Sequence, residues 1–102
     1  MKPLKIPESI KIGGFDYTVD MNNESDKFLE AKNWTGSCGY IDKVMQISTK
    51  YSPQETSSTF IHEILHASND VYNMGKIDEE GITNMANGVF QVLEQFGIRF
   101  VK

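Results

Sequence analysis

Residues Ser52 to about Asn73 read as one uninterrupted helix, and in a chain of 102 residues a helix of that length becomes the surface on which the other elements pack. Its start is legible. Ser52-Pro53-Gln54-Glu55 puts Ser at the N-cap, Pro at the first helical position and Glu at the third, the pattern of a capping box, and the helix ends near Asn73 and Gly75. At 100° per residue Phe60, Ile61, Ile64, Leu65, Ser68, Val71 and Tyr72 share one broad face suited to a core, while His62 and His66 lie together just off its edge. These are the only histidines. Four residues is just over one helical turn, so the two imidazoles project from one side about 6 Å apart along the axis, and one metal ion can bridge them.

Between them stands Glu63, completing His62-Glu63-Ile64-Leu65-His66, an H-E-x-x-H run. The carboxylate sits beside the imidazole face, where it reaches a metal-held water without ligating the metal, the general-base position of a zinc peptidase. A third ligand has to come from nearby acids, and Asp70, Asp78, Glu79 and Glu80 are the candidates. Asp70 lies eight residues from His62, roughly 12 Å along the same axis, too far to converge on bonds near 2 Å, and reads as a supporting or surface acid. A second helix starts at Asp78 as N-cap, with Ile77 placed against Ile82, and carries the apolar stripe Ile82, Met85, Ala86, Val89, Phe90, Leu93 and Phe96. With that stripe turned inward, Asp78 and Glu79 fall within about 60° of its centre and Glu80 about 160° away. Asp78 is occupied in capping, which leaves Glu79 as the inward carboxylate and Glu80 as the alternative should the helix start elsewhere.

The remainder of the chain supplies a small sheet. Ile10 and Ile12, then Phe15, Tyr17, Val19 and Met21, alternate with polar residues on either side of Gly13-Gly14, a β-hairpin with one apolar face. Pro3 and Pro7 give an extended, unpaired lead-in arm. Asn22 to Asn33 is polar apart from Phe28 and Leu29 and reads as a loop or short helical turn. Trp34 to Asp42 and Val44 to Thr49 form a second strand pair turning near Asp42-Lys43, so four strands are available for one antiparallel sheet. Gly36 and Gly39 flank Cys38 at what reads either as a bulge or exposed edge that an extended peptide could join, or as an ordinary pair of turn glycines. Gly97 closes the second helix, with Ile98 packing back on Leu93, and Arg99 to Lys102 add an edge strand. The expected fold is α+β, a single domain over residues 1–102.

Charge and cysteine usage exclude several roles. A net charge of −4 without a run of Lys and Arg disfavours nucleic acid and anionic lipid as partners. No stretch approaches the roughly 18 apolar residues of a membrane span, and Met1 to Ile12 has no apolar leader, so a cytoplasmic protein is expected. Cys38 is the only cysteine, which excludes an intrachain disulfide and a C-x-x-C site. It reads as a small, half-buried strand residue, with a fourth zinc ligand or an inhibitory thiolate as the other reading.

Taken in order, the hairpin, the strand pair with Ile41-Asp42, Thr59 to Ala67 around the motif, and Glu79-Glu80-Gly81-Ile82-Thr83-Asn84-Met85-Ala86 resemble the small zincin-like metallopeptidases of phages and bacteria, the ImmA/IrrE-type group. The resemblance spans about the last two-thirds of the chain and implies a minimal zincin-like fold in the cytoplasm of a bacterial host. It also implies one zinc ion on His62, His66 and a downstream Glu, Glu63 as catalytic base, and a peptide or protein substrate. Larger members carry additional recognition domains for which this chain has no room. The other functional class is a non-proteolytic zinc module whose metal staples a binding surface. Two His, one acid and no second Cys favour an open coordination position and hence the hydrolase.

Overall fold

The computed structural model describes all 102 residues. Chain order is β1 (Lys2–Lys5), β2 (Ser9–Ile12), β3 (Phe15–Asp20), α1 (Asn23–Lys32), β4 (Gly36–Cys38), β5 (Val44–Ile47), α2 (Pro53–Asn73), α3 (Glu79–Gln95) and β6 (Ile98–Val101). The expected hairpin is β2–β3, with Ile12 opposite Phe15 and with Gly13 and Gly14 at φ of 61° and 85°, the two positive values a primed two-residue turn requires. The Ser52 hydroxyl accepts the Glu55 N–H at the start of α2, and the Asp78 carboxylate accepts the Gly81 N–H at the start of α3.

Three expectations are corrected. Asn22 to Asn33 is neither loop nor single turn but holds the ten-residue α1. Asn22 and Ser25 cap each other's backbone N–H groups, Glu24 and Asp26 lie at the positive end of the helix dipole and Lys32 at the negative end, and Asn33 closes it in the left-handed conformation. Leu29 is its one buried apolar anchor, and buried Asp26 accepts hydrogen bonds from the Thr49 backbone N–H and hydroxyl.

That helix overturns the second expectation, an all-antiparallel sheet. The four strands lie in the order β2-β3-β5-β4, with β3 and β5 parallel. A ten-residue helix after β3 carries the chain past the neighbouring slot, β4 takes the outer position, and β5 folds back antiparallel to it into the gap. The third correction concerns the lead-in arm. β1 is paired, forming a separate two-stranded parallel sheet with β6 in which Lys2 faces Ile98 and Lys5 faces Val101. The backbone N–H groups of Lys2 and Ile6 point at β6, so the N–H that Pro3 lacks would have faced away from the ladder.

The sheet's inner face and α2 enclose the core. Ile6, Ile12, Tyr17, Val19, Met45, Ile47, Phe60 and Ala67 form one buried cluster, with Ile64, Val71 and Phe100 packed on it. Phe100 sets its ring edge-on to Phe60 at 5.2 Å, and its backbone N–H donates to the Ser57 hydroxyl, which ties the β1–β6 ribbon to the first half of α2. Tyr72 was expected on the core face and is instead 72% exposed, because α2 outruns the sheet beyond Val71.

The turn from α2 to α3 is held by one side chain. Buried Asn69 donates from its amide nitrogen to the Ile77 carbonyl (2.9 Å) and accepts the Ile77 N–H on its amide oxygen (3.1 Å), while Asn73 donates to the same oxygen. This clasp fixes where α3 begins. Asn69→Ala would leave both Ile77 backbone groups without their partner, and we expect it to lower the unfolding free energy by about 2–3 kcal/mol, against under about 1 kcal/mol for Asn73→Ala. Urea denaturation of the two variants measures the difference; equal losses would show that the clasp is not what holds the turn.

Candidate metal centre

α2 brings His62 and His66 to its open side because Phe60, Ile64 and Ala67 take the side facing the sheet and β6, with Ile61 buried beside them. Their rings lie 4.8 Å apart with the two Nε2 atoms separated by 3.1 Å. Glu79, the first residue of α3, reaches across with both oxygens: Oε1 is 3.1 Å from Nε2 of His62 and Oε2 is 2.8 Å from Nε2 of His66. The Thr83 hydroxyl, one turn on, lies 3.5 Å from Oε1. These three side chains are the group whose ligand atoms all fall within 4.8 Å of one another.

Tetrahedral zinc with bonds of about 2.0–2.1 Å sets its ligand atoms about 3.3–3.4 Å apart. The observed separations of 2.8–3.1 Å need only a slight opening to fit it. The donor set, two imidazoles and one carboxylate, suits a centre that keeps one position open. Glu80 is exposed and lies outside the group; Asp78 caps α3; Asp70 points to Lys43 at 3.7 Å. His66 also meets Tyr40, whose hydroxyl lies 3.3 Å from Nδ1. An Nδ1–H donated to that oxygen fixes the tautomer that leaves Nε2 free as a ligand. Tyr40 is held in turn by Lys43, whose ammonium donates to the Tyr40 carbonyl at 2.6 Å. Tyr40 lines the cleft; Tyr51 and Tyr72 do not.

Glu63 stands behind the ligands and is 5% exposed. Burial, with the Glu79 carboxylate adding to it, pushes its carboxyl up to about 8. Room for that carboxylate comes from β4. A Cβ on Gly36 would stand 2.6 Å from the Thr59 methyl and 3.1 Å from Oε2 of Glu63, so only glycine leaves this wall open. Burial also lowers the His66 imidazole, partly offset by Glu79. Cys38 is half-buried in β4, outside the group of three, and burial with Glu63 nearby pushes its thiol up to about 12.

These groups line a cleft of about 680 Å³ between β4 and α2, walled by Asn33 to Cys38, Tyr40, Ser58 and Thr59, with His62, Glu63, His66 and Glu79 at its floor. Sequence reasoning singles out the four floor residues and the edge around Gly36 and Cys38, but not Asn33, Thr35, Ser58 or Thr59. The Asn69 clasp that sets Glu79, the Tyr40 contact and the role of Gly36 all join residues far apart in the chain, and no local pattern marks them. The chain gives no significant match to models of known protein families, to curated proteins or to solved structures.

Glu63 carries a pH signature in the metal-free chain. Its folded-state carboxyl titrates near 8, against an ordinary value of 4.5, so the folded form holds a proton that the unfolded form has released. The stability this group contributes is therefore complete below about pH 4.5 and is lost as pH rises through about 8. Glu63→Gln removes that loss. In chelator-treated protein we expect the variant to gain about 2–4 kcal/mol over wild type at pH 8 and little at pH 4.5, read from paired denaturant titrations. A difference independent of pH would show that Glu63 is not held protonated.

Proposed function

We propose that this chain is a zinc-dependent peptide hydrolase of minimal zincin-like build, with the metal on His62, His66 and Glu79 and with Glu63 as general base. The observation that carries the reading is the convergence of the three ligand atoms on one point of an open cleft with a second, buried carboxylate directly behind them. A zinc ion bound there supplies Lewis-acid polarisation of a carbonyl and a water acidic enough to attack at neutral pH. Glu63, adjacent to the ligands and not one of them, takes the proton from the attacking water and hands it to the leaving amine. Tyr40 holds the His66 ring by Nδ1 and, being itself raised by burial, remains a neutral phenol at the cleft rim.

The substrate class follows from the wall. β4 is the outer strand of its sheet, and Thr35 and Gly39 turn their backbone groups to β5, accepting from Ser48 and donating to Val44. By alternation Gly36 and Cys38 present their N–H and C=O groups to the free edge alongside the cleft. An extended peptide adding to that edge would run past Glu63 and the imidazoles, so the reading is of a peptide or protein substrate held as a strand.

Purified protein is expected to bind about one zinc per chain by elemental analysis, and His62→Ala or His66→Ala to abolish it. Loss of a supporting group costs 10–100-fold in affinity, so Glu79→Ala, which removes a ligand, should cost more than about 100-fold in a chelator competition, while Glu80→Ala stays near wild type. Glu63→Gln should keep the zinc and lose cleavage of a random-sequence peptide library. Equal zinc in wild type and both histidine variants would end the metal reading. Zinc bound without cleavage of any library peptide by wild type would leave a zinc-dependent binding module instead.

A further inference from the structure

We infer that the exposed side of α3 is a self-association surface, through which two copies of this chain pair antiparallel about a two-fold axis beside Gly88 and Val89. Met85, Val89, Val92 and Phe96 are 48%, 42%, 51% and 75% exposed. Their spacing of four, three and four residues is the 3.5-residue repeat of a two-helix seam, and at 100° per residue they stay within a strip about 60° wide. The fold of the single chain does not use them. Ile82 and Ala86, buried, and Phe90 and Leu93, half-buried, already occupy the side of α3 that faces the molecule. No charged residue interrupts the strip.

Two glycines bear on what covers it. Gly88 sits mid-helix, where glycine is among the poorest helix formers, and a Cβ there would meet nothing within 4 Å. The single chain gives no packing reason for its presence. It borders the strip between Met85 and Val92, where a missing side chain admits the backbone of a second helix. Gly81 lies on the same border two turns earlier, and the neighbour its Cβ would strike is the Ile77 methyl.

The strip is also complementary to itself. A two-fold axis between positions 88 and 89 sets Met85 against Val92 of the second copy, Val89 against Gly88 and Phe96 against Gly81. Met85 thus meets the smaller Val92 and Val89 meets the open space at Gly88, while Phe96 lies over the Gly81 turn where Ile77 packs, and each contact recurs on the other side of the axis, as a two-fold interface requires. The apolar area on offer is roughly 400 Å² per copy, within the range of the largest patch on a soluble monomer, which is often functional. The roughly 800 Å² total falls below the 1,200–2,000 Å² of stable complexes, so the dimer is a transient one, populated at tens of micromolar and above. A second copy suits so small a patch because it needs no other surface than the one shown. The strip is rotated about 110° from Glu79 around the helix, so pairing leaves the cleft open and the inference does not depend on the metal.

Sedimentation equilibrium of the full chain between about 10 and about 500 µM tests this. A reversible monomer–dimer equilibrium is expected, weakened at least about tenfold by Val89→Glu and by Phe96→Glu and unchanged by Asn84→Glu on the polar side. Circular dichroism confirms that each variant folds. In a Cys38→Ala background, Gly88→Cys should form an interchain disulfide under mild oxidation and Asn84→Cys should not. A monomer throughout the range, or a dimer indifferent to both glutamates, overturns the inference. Dimerisation with residue 88 left reduced overturns the antiparallel register.

Discussion

The apolar side of α2 has to be covered, and most of the molecule consists of what covers it. The inner face of the four-stranded sheet packs on Phe60, Ile64 and Ala67, β6 brings Phe100 against Phe60, and α3 lies along the remaining flank. Burying a side chain the size of Phe60 is worth about 2–3 kcal/mol, and no other element contacts so many neighbours. Once that side is fixed inward, helical periodicity alone decides that His62 and His66 turn to the open flank beside β4. The direction in which the two imidazoles point is therefore a by-product of hydrophobic burial, and it is rigid for the same reason.

Electrostatics works against this packing at one place. Glu63 is buried with no cation to offset it, and the nearest charge is another carboxylate, Glu79. The protein accommodates the conflict by holding Glu63 protonated near neutral pH and by leaving Glu79 largely exposed. A divalent cation between the imidazoles and Glu79 would reverse the sign of the local field, because the two carboxylates would then share a positive neighbour. Lys43 is occupied by the Tyr40 carbonyl, by Asp70 and by the faces of Phe15 and Tyr17.

What could be read from the sequence was what short-range chemistry determines. Ser52 and Asp78 announce their helices because capping is local, Gly13-Gly14 announces its hairpin because few other pairs accept two positive φ values, and the turn of α3 toward the imidazoles follows from its apolar stripe. α1 was missed because its amphipathic signal is faint, with Leu29 its one buried anchor, although Asn22 and Ser25 spell out the cap. The parallel pairing of β3 with β5 depends on that helix and fell with it. Pairing of β1 with β6 had no local signal at all, and Pro3 argued against it until the ladder showed on which side its missing N–H falls. Met85, Val89 and Phe96 were read as part of the inward stripe and are exposed, because periodicity identifies an apolar side without saying how wide a strip the neighbours can cover.

The β1–β6 ribbon has a consequence for how the chain comes off the ribosome. Nearly the whole sequence separates Lys2 from Ile98, yet their backbones are hydrogen-bonded neighbours. β1 is made long before β6 and has no partner until β6 emerges, and Ser57, which receives the Phe100 N–H, waits with it. During elongation the hairpin, α1 and α2 can assemble around local contacts, while the first half of α2 lacks the cover of Phe100. Closure thus waits for β6, and the nascent protein passes through a stage in which its central helix is formed and one flank of it is still bare.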